Sequence, residues 1–397
     1  MIRTILLACL SILLVASIIT KPDAAFQASL QGLTVWWNIV FPGLLPFLTL
    51  LELMLAFGAV HALGTLLHPL MRKLFRLPGE TGVAMVIGWT GGFPCGAETA
   101  AALRKSNTLT AKQGNRLLAL SHLPSPLFML LVVGTGFLHR PELGIAIALI
   151  VWLSALLPAL VAARFTRREP VQTGQAAVDR PAAGIFRQAA KAMREARERD
   201  GRTFGKLLGD AVSVAVYKLM AIGGFMIFCA VLVKLMEPLL PSSIPPFVLS
   251  GLIESHIGTY AVSAFSFAGG VPWKAAAIAA VLSWGGISAL LQAGSAIAGT
   301  GLSLRSLAIA RILQSAVAFL LMLLCWKPLT WLMNGVTPAA SAFAWQHDET
   351  YTSGIGAIRA GDLLSLWPYA PALLLIFTCG ITLLAAVSVI SARLRLR

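Results

Sequence analysis

The sequence contains few charged residues for its length, and acidic residues are the scarcer kind. Charged side chains make up 12% of the 397 residues, against about 25% in an ordinary soluble domain. Only 16 acidic residues accompany 31 lysines and arginines. This scarcity excludes an ordinary soluble globular protein, and the 57% share of hydrophobic residues indicates a polytopic membrane protein.

The motifs that support metal binding, disulfide bonding or catalysis are also missing from the sequence. The five cysteines are scattered and form no CxxC or Cys/His cluster, which argues against a zinc site or a disulfide framework. There is no Walker loop, and no spacing typical of a nucleophile with its base. The sequence therefore predicts no enzyme, no ATP-driven pump and no cofactor.

Long apolar runs dominate the chain, and a transmembrane helix needs about 20 such residues. Eight runs qualify: 3–20, 36–60, 113–136, 141–163, 211–236, 273–298, 304–326 and 366–392. Two further apolar stretches, 78–104 and 244–268, are interrupted by Gly, Pro and charge. The predicted fold is an all-α polytopic membrane protein with about eight transmembrane helices and two re-entrant helical hairpins.

Lysine and arginine are distributed unequally between alternate connections. The loop 164–210 holds eleven basic and six acidic residues, and its segment 184–204 has the spacing of an amphipathic helix on the inner membrane face. We expect this loop to be a solvated connector. The asymmetry predicts that both termini are cytoplasmic. It also explains the net charge of +15 without a nucleic-acid partner.

Residues 36–163 and 211–326 show the same series of features: a span, a broken apolar stretch and two more spans. Three crossings per repeat predict that the second repeat is inverted, which is the architecture of secondary transporters. The segments "LLALSHLPSPLFML" and "AAVLSWGGISALLQ" share a Leu-Ser pair, and each carries a later serine. The predicted parts are a signal-anchor helix with linker (1–35), a first Gate-like repeat (36–163), a basic loop (164–210), a second repeat (211–326), an outer loop (327–365), and a last helix with tail (366–397).

The stretch "GWTGGFPCGAETAAAL" places glycines, a proline and a glutamate inside an apolar region. Irregular backbone at membrane depth is tolerated only where protein or a water-filled cavity surrounds it. We therefore expect a hairpin whose tip contains Gly92, Phe93 and Pro94. The N–H groups that begin the returning helix point into the membrane and form an anion-receptive site; they belong to Gly96, Ala97 and Glu98. Glu98 is either a structural cap of this helix or a carboxylate linked to substrate or protons.

The corresponding stretch of the second repeat runs from Pro245 to Pro272 and includes "GLIESHIGT". Glu254 and His256 lie at the predicted tip, and Thr259 follows within one turn. A glutamate beside a histidine within the membrane forms either a proton relay or a structural pair that holds the tip in place.

Polar residues also interrupt two of the spans. Pro124-Ser125-Pro126 and Gly285-Gly286 predict local helix breaks, and the polar residues around them are expected to line one cavity: Ser121, His122, Ser125, Ser283, Trp284 and Ser288. Arg311 lies about two turns inside its span. It either extends to the headgroups or faces the cavity, where it would attract an anion.

These motifs resemble those of the YlbJ (SpoVV) family of sporulation integral membrane proteins, part of the nucleoside-recognition (Gate) domain group. The resemblance covers nearly the whole chain and rests on "GGFPCGAETAAALRKSN", "GLIESHIGT" and "LSWGGISALLQAGSAI". It implies transport of dipicolinate, a small aromatic dianion, across the outer forespore membrane. A nucleoside or nucleobase carrier and a non-transporting scaffold are the alternatives. The expected partners are a small anionic substrate and the bilayer, and the coupling ion, proton or sodium, is left open.

Overall fold

The computed structural model describes residues 2–165 and 184–331, and every regular element within these ranges is helical. The first range contains α1 (Ile2–Thr20), α2 (Pro22–Val35), α3 (Phe41–Ala56), α4 (Ala59–Lys73), α5 (Thr81–Gly91), α6 (Cys95–Lys105), α7 (Ala111–Ser121) and α8 (Pro141–Phe165). The second contains α9 (Ile185–Asp200), α10 (Phe204–Met236), α11 (Pro246–Ile253), α12 (Ser255–Ala264), α13 (Gly270–Trp284), α14 (Gly286–Ala296) and α15 (Leu304–Leu324). Two π-helical segments, Trp36–Val40 and Phe128–Phe137, complete the first range, and a 3₁₀ turn, Glu237–Leu239, the second.

Five helical stretches within the described ranges are long and apolar enough to cross a membrane. They are Pro22–Ala56, Pro141–Phe165, Phe204–Leu239, Gly270–Ala296 and Leu304–Leu324. The sequence predicted eight spans. The run 113–136 is divided into two shorter helices by residues 122–125, and the run 366–392 lies outside the described residues, as does most of the predicted outer loop.

The expected linker before residue 36 is wrong, because residues 22–35 form α2 and continue as a helix through Trp36–Val40 into α3. Small residues cause the difference. Ala25, Ala28 and Gly32 form a buried face, and a Cβ on Gly32 would lie 3.1 Å from the Ile227 Cα in α10. The indole Nε1 of Trp36 then donates to the Leu219 carbonyl at 2.9 Å, so α10 holds this helix along its length.

The order of elements in the first half recurs in the second. After a long helix, each half contains a short helical pair, α5–α6 or α11–α12, then a broken helix, then a long helix, α8 or α15. The broken helices are α7 with Phe128–Phe137, and α13 with α14. Helix α4 lies only in the first half and was not predicted. The inversion of one repeat relative to the other remains a prediction.

Helices α8, α13 and α15 pack against one another, and buried polar side chains connect them. The Gln314 amide donates to the Val151 carbonyl at 3.1 Å and to the Ser154 hydroxyl at 3.3 Å. The Ser154 and Ser283 hydroxyls are 3.5 Å apart. Since Ser154 belongs to the first half and the other two side chains to the second, these contacts join the halves within an otherwise apolar core.

The basic loop contains the amphipathic helix that the sequence predicted, but α9 is more than a solvated connector. It packs against α4 and the end of α3. Gly58 has a φ of +75°, and a Cβ there would lie 2.3 Å from the Met193 carbonyl oxygen. The guanidinium of Arg197 lies 5.5 Å from the centre of the Phe57 ring. The glycine therefore permits close docking of α9 on this corner of the protein.

Candidate functional site

Helices α5 and α6 form an antiparallel pair joined by residues 92–94. We call this pair the first hairpin, and its re-entrant placement in the membrane stays a prediction. Gly92 has a φ of +75°, a backbone conformation that glycine adopts readily because it lacks a Cβ. No side chain caps α6. The N–H groups of Ala97 and Glu98 donate to the Pro94 carbonyl at 2.8 and 3.2 Å, so they are not free for a ligand, and the Glu98 side chain is exposed.

The first hairpin packs closely against the end of α7. A Cβ on Gly88 or Gly96 would lie 2.1 or 2.2 Å from the Ser121 carbonyl oxygen. The Ser121 hydroxyl donates to the Gly96 carbonyl at 3.2 Å, and the Trp89 indole donates to the Leu120 carbonyl at 2.9 Å. Residues 122–125, which interrupt the helix here, are called break 1. Break 1 is thus held against the hairpin by glycine contact and by two hydrogen bonds, one of which satisfies the Leu120 carbonyl in the last turn of α7, where helical donors are missing.

Helices α11 and α12 form the second pair, with Glu254 as the single non-helical residue between them. Glu254 is 3% exposed and caps α12, because its Oε2 accepts from the Ile257 N–H at 2.7 Å. Its other oxygen, Oε1, lies 2.6 Å from the His256 Nδ1. The carboxylate therefore holds both the helix N-terminus and the imidazole in place at this tip.

Gly285 separates α13 from α14 and is called break 2. Gly285 and Gly286 have φ values of +84° and +83°, and a Cβ on Gly286 would lie 2.8 Å from the Ile253 carbonyl oxygen. The Trp284 indole donates to the Leu252 carbonyl at 3.0 Å. The second hairpin is thus seated on break 2, as the first is seated on break 1.

The two hairpin tips, break 1 and the helix α14 that follows break 2 surround one narrow cavity. Its lining residues come from six helices, both hairpin tips and break 1: Leu44, Leu48, Gly91, Gly92, Phe93, Pro124, Ser125, Phe128, Ile222, Phe225, Glu254, Ser255, His256, Ser288, Ala289 and Gln292. Contacts cross between the halves. The Phe93 ring lies against Gly285, and the Phe128 and His256 ring centres are 4.4 Å apart. The free volume is about 50 Å³, enough for a few water molecules.

Some of the predicted site residues line this cavity and the others lie outside its lining. Those that line it are Gly92, Phe93, Ser125, Glu254, His256 and Ser288. Those outside the lining are Pro94, Gly96, Ala97, Glu98, Ser121, His122, Thr259, Ser283, Trp284 and Arg311. Among the second group, His122 packs its ring on Phe93 with 4.6 Å between ring centres. The sequence predictions missed Phe128 and Gln292, whose only signal is their position about one turn after break 1 and about two turns after break 2.

Arg311 is buried rather than extended to the headgroups, since it is only 1% exposed. It does not line the cavity. Its Nη1 donates to the His122 carbonyl at 2.8 Å, and its Nη2 donates to the Ala119 carbonyl. The guanidinium therefore binds carbonyl groups at the C-terminal end of α7, where helical hydrogen bonds end. Arg311 therefore stabilises break 1 through hydrogen bonds made outside the cavity lining.

The chain is similar to one known protein family and to one known sporulation protein. Residues 38–163 match the Gate (nucleoside recognition) family. The chain is also 33% identical over 347 residues to the sporulation integral membrane protein YlbJ of Bacillus subtilis (strain 168), which covers 83% of this chain and 84% of that protein. No solved structure matches the chain. The matched Gate range contains the first hairpin and break 1.

Proposed function

Since the chain belongs to the YlbJ family of sporulation integral membrane proteins, we propose that it is a secondary transporter and that the cavity between its hairpins carries a small aromatic dicarboxylate, dipicolinate. The observation that supports this proposal most strongly is the convergence of two hairpin tips, break 1 and helix α14 on one cavity. Irregular backbone within a membrane protein characteristically lines substrate pathways. The proposal includes no enzymatic step.

The lining suits a small planar molecule. Phe93, Phe128 and the His256 imidazole supply aromatic surfaces, and the Ser125 and Ser288 hydroxyls and the Gln292 amide supply hydrogen-bonding groups. Aromatic rings stack on planar ligands, while a few convergent polar groups fix their orientation. This combination suits a pyridine ring that carries two carboxylates.

Helix ends around the cavity favour a negative charge. Helices α6 and α14 begin without side-chain caps. The first turn of α14 lines the cavity through Ser288 and Ala289, so the positive end of its dipole is available to an anion, whereas the first turn of α6 lies outside the lining. The negative end of α7 is neutralised by Arg311. Glu254 is the one carboxylate that the described residues contribute to the lining, and the α12 N-terminus and His256 offset its charge. Arg311 would thus aid an anion indirectly.

The cavity is smaller than the proposed substrate, so transport requires the halves to separate. A free volume of about 50 Å³ admits only a few water molecules. Each hairpin is seated on the break of its own half and contacts the other half through a few rings. Movement of one hairpin and break together, relative to the other pair, would enlarge the cavity. We propose that this movement provides alternating access.

We propose that the protein lies in the outer forespore membrane, that its two hairpins are re-entrant within this membrane, and that both termini lie in the cytoplasm of the mother cell. Membership in a sporulation family supports the location in the forespore membrane. The basic loop that contains α9 supports the orientation, because positively charged loops are retained on the cytoplasmic side.

A nucleoside or nucleobase carrier is the second candidate. The match of residues 38–163 to a nucleoside-recognition family favours it, and the aromatic rings with the Gln292 amide also suit a base. A neutral base would gain little from the uncapped helix ends. The charge of the transported solute therefore distinguishes the two candidates.

Uptake by the purified protein in proteoliposomes tests the proposal. Radiolabelled dipicolinate and radiolabelled uridine, adenosine and uracil are compared with protein-free liposomes. We expect saturable dipicolinate uptake. A hundredfold excess of uridine should change the rate of this uptake by less than about twofold, which corresponds to less than about 0.5 kcal/mol. Saturable uptake of a nucleoside without dipicolinate uptake would establish the second candidate instead.

A further inference from the structure

A second charged site lies between the long helices α3 and α10, away from the cavity lining. The Lys218 ammonium in α10 binds the Glu52 carboxylate in α3, with 2.5 Å between Nζ and Oε1. The side chains are only 32% and 19% exposed. Both helices belong to candidate membrane spans. Ionisable side chains in such helices are costly and are usually retained for function.

Glu52 also lines an open pocket beneath α9. The pocket has a free volume of about 470 Å³ and is bounded by the ends of α3 and α4 and by α9. Its charged and titratable groups are Glu52, His61, Glu195, Arg199, Asp200 and Arg202. Because α9 belongs to the basic loop, this pocket opens on the side that we assign to the cytoplasm. Water in the pocket therefore reaches one end of the ion pair.

The other end of the ion pair faces the first hairpin. Lys218 interacts electrostatically with Cys95 and Glu98 as well as with Glu52. Cys95 directly follows Pro94 and begins α6, and Glu98 lies in the first turn of that helix. A change in the charge near Lys218 therefore changes the electrostatic force on α6, the helix that follows the cavity-lining tip of the first hairpin.

Lys218 and a proton compete for the Glu52 carboxylate. While α3 and α10 hold the two side chains together, the ammonium is the partner of the carboxylate. When a movement of the helices separates them, the carboxylate loses its cationic partner, and a proton from the pocket can take the place of the ammonium. The bound proton and the closed ion pair therefore belong to different conformations.

We infer that the Glu52–Lys218 pair is the proton-coupling site of the transporter, loaded from the pocket beneath α9. A hydronium ion in the pocket transfers one proton to a Glu52 oxygen: one hydronium O–H bond breaks, one carboxyl O–H bond forms, a water molecule is left in the pocket, and the ion pair opens. Lys218 keeps its own protons and is then drawn toward Glu98 on the first hairpin. Coupling is reciprocal, so a proton gradient biases the position of that hairpin.

The charged and titratable groups near the pair, within the described residues, come from several helices. The Glu98 carboxylate and the neutral Cys95 thiol come from α6, Glu52 itself comes from α3 and Lys218 from α10. On the pocket side, His61 comes from α4, and Glu195, Arg199 and Asp200 come from α9. Arg202 is already bound by Asp200 and Asp210 at 2.6 and 2.8 Å, so it is not the counter-ion of Glu52.

The inference rests on the proposed transport function, and its test therefore has one arm that requires no substrate. In the transport arm, dipicolinate uptake by proteoliposomes is measured with and without an imposed gradient of one pH unit. One coupled proton biases accumulation by up to about tenfold per pH unit. The gradient response is the ratio of dipicolinate accumulation with the pH gradient to accumulation without it. Glu52→Gln should lower this ratio to about 1. The control, Glu237→Gln, breaks the exposed Lys234–Glu237 pair on α10 and should keep the full response.

In the second arm, infrared difference spectra of the purified full-length proteins are recorded during an acid titration. The other acidic side chains contribute protonated-carboxyl bands to every spectrum, so we expect one additional band of this kind in wild type and in Glu237→Gln that is missing in Glu52→Gln. Because Glu52→Gln leaves Lys218 unpaired, the double variant Glu52→Gln/Lys218→Gln is included to restore stability without restoring the response.

The outcomes separate the two hypotheses. An absent band and a lost gradient response in both Glu52 variants would support the inference. A Glu52-dependent band in a protein that carries no dipicolinate would support the proton site and remove the proposed substrate. If Glu52→Gln retains the band and the gradient response of Glu237→Gln, the coupling site is wrong.

Discussion

Arg311 illustrates how one charged side chain is accommodated among apolar helices. It is 1% exposed and donates to the carbonyls of Ala119 and His122, so its charge stabilises a helix end. Replacement by glutamine would leave a buried carbonyl without its donor, at a cost of about 1–3 kcal/mol for each such group. We predict that Arg311→Gln lowers the thermal unfolding temperature markedly, as measured on detergent-purified protein.

Lys234→Gln is the matched control for this change. Lys234 is 52% exposed in its pair with Glu237, and exposed ion pairs contribute about 1 kcal/mol or less. Its unfolding temperature should stay close to that of wild type. An Arg311→Gln protein as stable as Lys234→Gln, but with weakened dipicolinate binding, would instead return Arg311 to the substrate site.

The partners of buried charged residues could not be predicted from the sequence. Arg311 binds carbonyls 189 and 192 residues away, and Glu52 and Lys218 are 166 residues apart. Periodicity shows that such a residue lies on an apolar helix, but nothing local indicates which element it faces. The Glu254–His256 contact was foreseeable because the two residues lie two positions apart at one helix break.

At the scale of elements, the interruptions of the apolar runs are the features that the sequence indicates best, while the re-entrant placement of the two hairpins stays a prediction. Glycine, proline and a carboxylate inside an apolar run are local signals, and the helix ends at Gly91, Glu254 and Gly285 follow them. Helix α2 was missed because Asp23, Gln27 and Gln31 reduce its hydropathy. Its helical path depends on the small-residue face that packs on α10, which is a tertiary effect.

The docking of α9 depends on a single glycine. Gly58 adopts a φ of +75°, and a Cβ there would meet the Met193 carbonyl. A left-handed conformation costs an alanine about 1–2 kcal/mol before any clash is counted. We predict that Gly58→Ala detaches α9 and speeds its tryptic cleavage about tenfold, since about 1.4 kcal/mol changes an opening equilibrium tenfold.

Gly205→Ala serves as the control for this experiment, because a Cβ on Gly205 has open space around it. Its cleavage rate should match wild type. If Gly58→Ala is cleaved no faster than Gly205→Ala, α9 is held by other contacts, and the pocket that it covers would not depend on this glycine.

At the scale of the whole molecule, two halves with the same order of elements meet at one cavity of about 50 Å³. The Gln314–Ser154–Ser283 contacts join the halves in the core, while aromatic rings join them at the hairpin tips. The membrane class and the series of elements were predictable from composition and repeat. The small cavity volume was not, because it depends on how far the halves approach each other.

The central claim is that the cavity between the hairpins is the substrate pathway, and filling it tests the claim most directly. Ser288 lines the cavity and is 5% exposed, whereas Leu291, three residues later on α14, is 62% exposed. The measurement is exchange of radiolabelled dipicolinate by proteoliposomes that contain equal amounts of folded Ser288→Trp or Leu291→Trp protein. An indole exceeds the free volume of about 50 Å³, so Ser288→Trp should lose at least about tenfold in exchange, equivalent to 1.4 kcal/mol, while Leu291→Trp should stay within about twofold. Undiminished exchange by folded Ser288→Trp would contradict the claim.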